Sequence, residues 1–509
     1  MAFSALCMTS NSPFPDLKNW NKAIKRQVQK GNLVEAFSLY VSMQERGFHP
    51  DSFTFPTLLE VAGRCNSLNN LGFVLHGQAI KTCFSNDLFV QTSLLNMYSN
   101  IKDIKAAHNV FDKMPVKDVI AWNSMLDAYA SHEQMDVAAT LFDLMPVRDL
   151  TSYNIMISGY AKARKLKLAR SFFESAHRRD VASWNSMLLA CILTGHMGEA
   201  ERLFNQAPNR NIVTWNTMVS GYLRNELYSK VLELFILMKA DENVKLDHIT
   251  VSGVLAACAH LASLEAGRAI HIYALEHHLM RPEVTTSLID MYAKCGSIGH
   301  SLQVFYKSQA KDIFCWNAII SGLALNGHGR AALKLFDTMR RAKSLSPDDI
   351  TFIAVLAACS HSGLVEEGCA LFSSMKEDHG IPPKSEHYGC MVDLLGRANL
   401  LSQALDLVES MPFKLGETIL GALLSACVTH QNIEVGQKVV RLLIEKREQD
   451  MNDGEYMMVS NLYAACGEWG EAAKWRKKMN EEGIVKAAGC SVIELNGKSH
   501  RFLAGGLTA

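Results

Sequence analysis

The stretch VIAWNSML, Val119–Leu126, returns along the chain as TSYNIMI from Thr151, ASWNSML from Ala182, VTWNTMV from Val213, FCWNAII from Phe314 and, more loosely, KNWNKAI from Lys18. An aromatic followed by asparagine that recurs this often belongs to a repeated unit. Alignment on the pair gives units Leu17–Asp51, Val119–Asp149, Leu150–Asp180, Val181–Asn211, Ile212–Asp247 and Ile313–Asp348, with periods of 31 to 36 residues. The gaps are filled by units that lack the pair but keep the rest. FTFPTLLEVAGRC from Phe53 matches ITVSGVLAACAHL from Ile249 and ITFIAVLAACSHSG from Ile350, and TSLLNMYSN from Thr92 matches TSLIDMYAKCG from Thr286.

Within Val119–Asp149, Trp122, Met125, Leu126 and Tyr129 fall at helical spacing, SHEQ breaks the pattern, and Val137, Ala138, Leu141, Phe142 and Met145 form a second apolar stripe. Pro146 ends the second helix, as Pro115, Pro208 and Pro412 do at matching places, because proline cannot donate to a continuing helix. Each unit therefore reads as a hairpin of two helices of about 12 residues. Such a pair cannot bury both faces alone, so successive hairpins stack into a superhelix with one ligand-facing surface.

Bulk properties agree with a folded chain. Of 509 residues, 48% are apolar, and 51 basic side chains balance 51 acidic ones, so nucleic-acid affinity would have to come from local arrangement rather than a global basic field. No apolar run approaches the roughly 18 residues of a membrane span. The 13 cysteines show no Cys-x-x-Cys spacing and read as reduced, buried thiols. MAFSALCMTSNSPFP has no acidic residue but also no arginine, which supports an organelle-targeting segment only weakly.

Tetratricopeptide repeats share the unit length, but their Trp-x-x-Leu-Gly signature is missing. The units resemble pentatricopeptide repeats, and the alternation of 35-residue, longer and 31-residue forms is similar to the plant P-L-S subclass. SEHYGCMVDLLGRANLLSQALDLVESMPF from Ser385, GALLSACVTHQNIEVGQKVVRLLIE from Gly421 and YMMVSNLYAACGEWGEAAKW from Tyr456 resemble the last repeat and the C-terminal E extension of that subclass. The resemblance implies an all-α fold, a right-handed superhelical solenoid of helix-turn-helix repeats. It divides the chain into a short segment 1–16 that reads as a transit peptide remnant, an array of about twelve repeats over 17–416, a helical E extension over 417–484 and a truncated tail over 485–509. Family members often continue into a zinc-dependent cytidine-deaminase-like domain ending in Asp-Tyr-Trp, whereas this chain stops at AGGLTA.

Two readings compete for the aromatic–asparagine pair. In the plain one, the aromatic packs between hairpins and the asparagine satisfies free backbone N–H groups at the helix start. That reading suits the aromatic. For the asparagine, each of Asn21, Asn123, Asn154, Asn185, Asn216 and Asn317 is matched at its unit's end by Asp51, Asp149, Asp180, Asn211, Asp247 and Asp348, a coupling that capping alone does not require. The resemblance implies one base per repeat read by such a pair: Asn with Asp prefers uracil, Asn with Asn cytosine and Thr with Asp guanine. Thr92 with Asp118 and Thr286 with Asp312 are then guanine readers. Apolar residues three positions earlier, Phe89, Ile120, Val213 and Phe314, either sandwich the bases or pack between helices. Pro56, Ser252 and Ile353 stand at the reading position of the longer units and are expected to add little selectivity.

The resemblance thus implies a site-recognition factor for C-to-U editing of single-stranded RNA in a mitochondrion or plastid, with catalysis supplied in trans by a family member bearing the Asp-Tyr-Trp deaminase and with organelle RNA editing factors as further partners. Intron splicing or transcript stabilisation would use the same array, and a protein-interaction scaffold without RNA is the reading from another class. No cofactor, metal, membrane or small-molecule substrate is expected. None of the 18 histidines begins the His-x-Glu of a zinc deaminase, and Cys258 with His260 and Cys359 with His361 lie on apolar helical stripes. Gly497-Lys498-Ser499 reads as a turn, and Gly327 and Gly329 as helix stops.

Overall fold

A computed structural model describes residues 16–64, 70–241, 244–309, 311–342, 345–413, 416–445, 451–485, 489–495 and 498–503. The N-terminal segment expected over 1–16 lies outside them except for Asp16, as do residues 504–509 of the tail. The chain forms two compact units, Met1–Gly221 and Tyr222–Ala509.

The first unit is a run of helical hairpins: α1 (Leu17–Gln29) with α2 (Leu33–Glu45), α3 (Thr54–Arg64) with α4 (Leu71–Lys81), α5 (Leu88–Asn100) with α6 (Ile104–Lys113), α7 (Val119–Ser131) with α8 (Met135–Leu144), α9 (Leu150–Lys162) with α10 (Leu166–Ser175), and α11 (Val181–Leu193) with α12 (Met197–Gln206). The unit boundary falls within α13 (Ile212–Arg224). The first helix of each hairpin packs on the first helix of the next, α3 on α5, α5 on α7, α7 on α9 and α9 on α11. Helix order follows from three local signals. Acids such as Asp118 cap first helices, the turns after α7, α9 and α11 each take one residue into the left-handed region, and α8 stops just before Pro146. That left-handed residue is Gly195 in one turn (φ 78°), yet Glu133 (φ 60°) and Arg164 (φ 56°) hold the same place in two others at a backbone cost.

Met125, Leu126 and Tyr129 are buried as their spacing predicts, and so are Ala138, Leu141, Phe142 and Met145. Val137, assigned to the same stripe from sequence, is 43% exposed. It sits one residue off the face that meets the partner helix, and the hairpin's apolar stripe is narrower than the composition suggested.

The second unit repeats the pattern with α14 (Tyr228–Ala240), α15 (His248–Leu261) and α16 (Leu264–Glu276), α17 (Pro282–Lys294) and α18 (Ile298–Lys307), α19 (Ile313–Leu325) and α20 (Gly329–Arg341), α21 (Asp349–Ser362) and α22 (Val365–Glu377), and α23 (Ser385–Arg397) and α24 (Leu401–Glu409). Two further hairpins, α25 (Glu417–Thr429) with α26 (Ile433–Glu445) and α27 (Asp453–Ala465) with α28 (Trp469–Glu481), continue the stack over the expected E extension, sharing a core through Leu423, Val439, Val459 and Leu462. Gly327 does occupy the left-handed turn (φ 74°), but Gly329 opens α20 rather than ending a helix. The hairpin stack is entirely helical. After it, β1 (Cys490–Leu495) and β2 (Lys498–Leu503) pair antiparallel, with Leu495 opposite Lys498, so Lys498 and Ser499 are strand residues; Gly497, also assigned to a turn there, lies outside the described residues.

Candidate nucleic-acid interface

The unit-end acids cap the helix that follows. Asp118, Asp149, Asp180, Asp312 and Asp348 hold extended backbone at the N-caps of α7, α9, α11, α19 and α21, and each Oδ1 accepts from the backbone N–H three residues on. Asp247 caps α15 in the same way. Capping is therefore the acid's task and not the asparagine's, which corrects the plain reading of Asn123 and its equivalents. Asn123 is the fifth residue of α7, already beyond the free N–H groups it was thought to satisfy.

The asparagines turn instead toward the caps. The Nδ2 of Asn21 donates to Asp51 Oδ1 at 3.1 Å, that of Asn123 to Asp149 at 3.0 Å, that of Asn154 to Asp180 at 3.1 Å and that of Asn317 to Asp348 at 3.0 Å. The coupling noticed in the sequence is thus a physical contact, the asparagine of each such unit held against the acid at its end. Burial pushes the carboxyls of Asp51, Asp149 and Asp180 up, but hydrogen bonds donated to them by the following helix and by the asparagine outweigh it, and all three lie below the ordinary carboxylate range. They stay anionic at neutral pH. These bonds all fall on Oδ1, and Oδ2 takes no part in them.

Thr92, Thr286 and Asn185 are arranged differently. The Thr92 and Thr286 hydroxyls donate to Leu88 O and Pro282 O of their own helices rather than to Asp118 or Asp312, and Thr286 Oγ1 also lies 3.2 Å from Cys315 Sγ. Facing Asn185 is a second amide, Asn211, whose Oδ1 accepts from the Thr214 amide and hydroxyl, both at 3.0 Å. Asn185 Oδ1 is buried with no hydrogen-bond partner. Asn216 follows as the fifth residue of α13.

The apolar residues three positions ahead of the candidate readers are open to solvent. Phe89, Ile120 and Phe314 are 72%, 62% and 61% exposed, and Val213 is exposed as well, so none is spent on helix packing. Phe53, Ile249 and Ile350 occupy the same place ahead of Pro56, Ser252 and Ile353 and are equally open, which the sequence reading did not single out. In the first unit a groove of about 1040 Å³ is lined by Pro56, Ile120, Asn123, Asp149 and Thr151 together with Lys25 and Arg64. Such a surface offers apolar plates and amide–carboxylate pairs in alternation, suited to unpaired bases with both faces and an edge accessible.

The aromatic of each pair serves packing, as expected. Trp122, Tyr153, Trp184, Trp215 and Trp316 set an edge against Phe111, Phe142, Phe173, Phe204 and Phe305 of the preceding second helix, with centroids 4.8 to 5.2 Å apart. A cation covers the same Phe rings: Lys117, Arg148, Arg179, Arg210 and Lys311. Arg148 also donates to Phe142 O and Asp143 O, tying the loop that delivers Asp149. The sequence carried this signal in the basic residue immediately before each cap (KD, RD, RD, RN, KD). Elsewhere, Cys258 and Cys359 are wholly buried, and burial pushes the Cys359 thiol up to about 12.

Comparison with known proteins agrees with this architecture. The family model described as the PPR repeat family matches residues 15–62, 210–260 and 311–361, that of the PPR repeat matches 92–119, 120–150, 151–181, 182–212, 284–313, 350–379 and 386–414, and that of the E motif matches 430–494. Two chloroplastic pentatricopeptide repeat-containing proteins of Arabidopsis thaliana are similar to the chain. One is 38% identical over 96% of this chain and 71% of its own length, and the other, ELI1, is 37% identical over 96% and 67%. The chain spans 64%, 71% and 61% of the lengths of three such Arabidopsis relatives. Among solved structures, the maize pentatricopeptide repeat protein PPR10 superposes with a TM-score of 0.52 at 17% identity, covering 92% of this chain and 74% of that one; PPR10 in complex with an 18-nt psaJ RNA element gives 0.58 at 14%, covering 93% and 80%. The chain belongs to the pentatricopeptide repeat family and carries its E motif.

Proposed function

We propose that this member of the pentatricopeptide repeat family binds single-stranded RNA of a plant organelle in a sequence-specific manner and selects a site for C-to-U editing, the deaminase being supplied in trans. The observation that carries the reading is the Asn-to-Asp contact repeated at Asn21, Asn123, Asn154 and Asn317, each beside an exposed helix start. A scaffold that binds protein has no need to keep amide and carboxylate in register through successive hairpins. The RNA-bound state of the structurally similar PPR10 supports an RNA ligand, the chloroplastic relatives support a plastid over a mitochondrion, and the E motif supports editing through a partner that brings the Asp-Tyr-Trp deaminase, together with organelle RNA editing factors.

With the protein running N to C along RNA 5′ to 3′, the pairs Asn21/Asp51, Thr92/Asp118, Asn123/Asp149, Asn154/Asp180, Asn185/Asn211, Asn216/Asp247, Thr286/Asp312 and Asn317/Asp348, interrupted by Pro56 and Ser252, spell U-n-G-U-U-C-U-n-G-U. In a gel-shift competition, the full chain should prefer this RNA to a scrambled one of equal composition by at least a hundredfold. Equal competition by the scrambled RNA removes the reading. Sequencing organelle transcripts from a plant that lacks the gene separates the roles: one lost edit supports editing, a retained intron splicing.

A further inference from the structure

We propose that the hydroxyl three residues past the unit-end residue that follows each asparagine reader is a positioning residue for base choice, fixing which end of the asparagine amide faces the base. Resting as it does on the RNA-reading function above, the proposal adds a third side chain to each pair. Thr54 Oγ1 donates to Asn21 Oδ1 at 2.7 Å, Ser152 Oγ to Asn123 Oδ1 at 2.7 Å, Ser183 Oγ to Asn154 Oδ1 at 2.6 Å and Thr351 Oγ1 to Asn317 Oδ1 at 2.6 Å. The cap carboxylate lies slightly farther from the same hydroxyl, at 2.8, 2.9, 2.9 and 2.7 Å, so the asparagine carbonyl is its nearer acceptor.

The chemistry leaves the amide one orientation. A carboxylate only accepts, so the amide nitrogen must face the aspartate, and its carbonyl then meets the hydroxyl. One N–H and one lone pair remain for the base, each on a fixed side. Uracil and cytosine present opposite donor and acceptor patterns on the same edge. An amide free to turn over serves both, whereas a pinned one distinguishes them.

Two contrasts within the chain fit this assignment. All six asparagine readers are followed by Thr54, Ser152, Ser183, Thr214, Thr250 or Thr351 at that place, while the threonine readers Thr92 and Thr286, which have no amide to orient, are followed by Ala121 and Cys315. At the one asparagine assigned to cytosine, the Thr214 hydroxyl turns to Asn211 Oδ1 instead and Asn185 Oδ1 receives nothing. The hydroxyl is thus withheld where a different pyrimidine is read.

The test is a competition gel shift with the full chain and two RNAs that differ only by U or C at the fourth letter, the one facing Asn123. Wild type should favour U about tenfold, the worth of one hydrogen bond. Ser152→Ala should bring that ratio near one while selectivity at the third and fifth letters is kept, and Ser152→Thr should restore it. Thr351→Val, nearly the same shape, should do the same at the tenth letter and decides the matter if Ser152→Ala does not fold. Wild-type U-over-C ratios in the folded variants overturn the role of the hydroxyl alone; a wild-type chain indifferent to scrambling overturns the RNA-reading function and this inference together.

Discussion

Replacing Asp149 by asparagine separates the acid's two duties. As the cap of α9, Asp149 Oδ1 accepts from the Ser152 amide at 2.9 Å, and as half of a reader it accepts from Asn123 Nδ2 at 3.0 Å. An asparagine keeps the accepting oxygen and caps a helix about as well as aspartate does. What is lost is the charge at the helix start, worth about 0.3–1 kcal/mol, and the rule that only an acceptor faces Asn123. Asp149→Ala loses both the cap, about 1 kcal/mol, and the partner of the buried Asn123 amide, about another 1 to 3 kcal/mol. Calorimetric unfolding should therefore place Asp149→Asn within about 1 kcal/mol of wild type and Asp149→Ala about 2 to 4 kcal/mol below it. In competition gel shifts, Asp149→Asn recreates the Asn185–Asn211 arrangement and should turn the fourth letter from U toward C by about tenfold each way, one hydrogen bond exchanged for another. The reasoning fails if Asp149→Asn unfolds as easily as Asp149→Ala, or if it folds and still prefers U.

Other expectations follow from the same geometry. Phe89→Ala and Phe314→Ala remove plates that are mostly exposed, so each should leave unfolding unchanged and weaken RNA binding by about tenfold or more, from roughly 1 to 3 kcal/mol of stacking per base; loss of stability without loss of binding would return them to packing roles. Gly322→Ala should destabilise the second unit by about 1 to 2 kcal/mol in thermal unfolding, because the new methyl would sit 2.6 Å from Ala293 Cβ, a rigid neighbour whose overlap outweighs the usual helix gain of about 0.5–1 kcal/mol. A neutral or stabilising result would show that α17 and α19 can part freely. The carboxyls of Asp51, Asp149 and Asp180 are lowered in the folded chain, so their contribution to stability is in full force above the unfolded value of about 3.9 and is lost as pH falls through the lowered folded values. Urea titrations should find this contribution constant from pH 7 to about 5 and declining below about 4; a decline already complete at pH 5 would mean the caps are not held as described.

Much of this was legible because a stacked hairpin writes itself twice, once in the helical spacing of Met125, Leu126 and Tyr129 and once in the stop at Pro146. The pairing of Asn123 with Asp149 was visible as a correlation, yet its form was not. Sequence cannot tell that the acid caps the next helix, since both an acid and an asparagine qualify as caps, and only the geometry puts Asn123 beyond the free N–H groups. The exposure of Phe89 and Ile120 was undecidable for a related reason: three residues before a reader is also a helical neighbour, and rotation of the helix decides between groove and core. Val137 failed on that same rotation. The strands Cys490–Leu495 and Lys498–Leu503 could have been anticipated, for CSVIEL and KSHRFL are short alternating runs around an Asn-Gly dipeptide, a hairpin signature that the helical context obscured.

The claim on which the account stands is that each hairpin reads one nucleotide through its own pair of side chains, and Asn123→Thr addresses it at a single letter. Selection of bound RNAs from a pool randomised at the fourth letter should yield uridine for wild type and guanosine for the variant, with every other letter unchanged. Recovery of uridine by both proteins, or a change spread over several letters, would contradict one-hairpin, one-base reading.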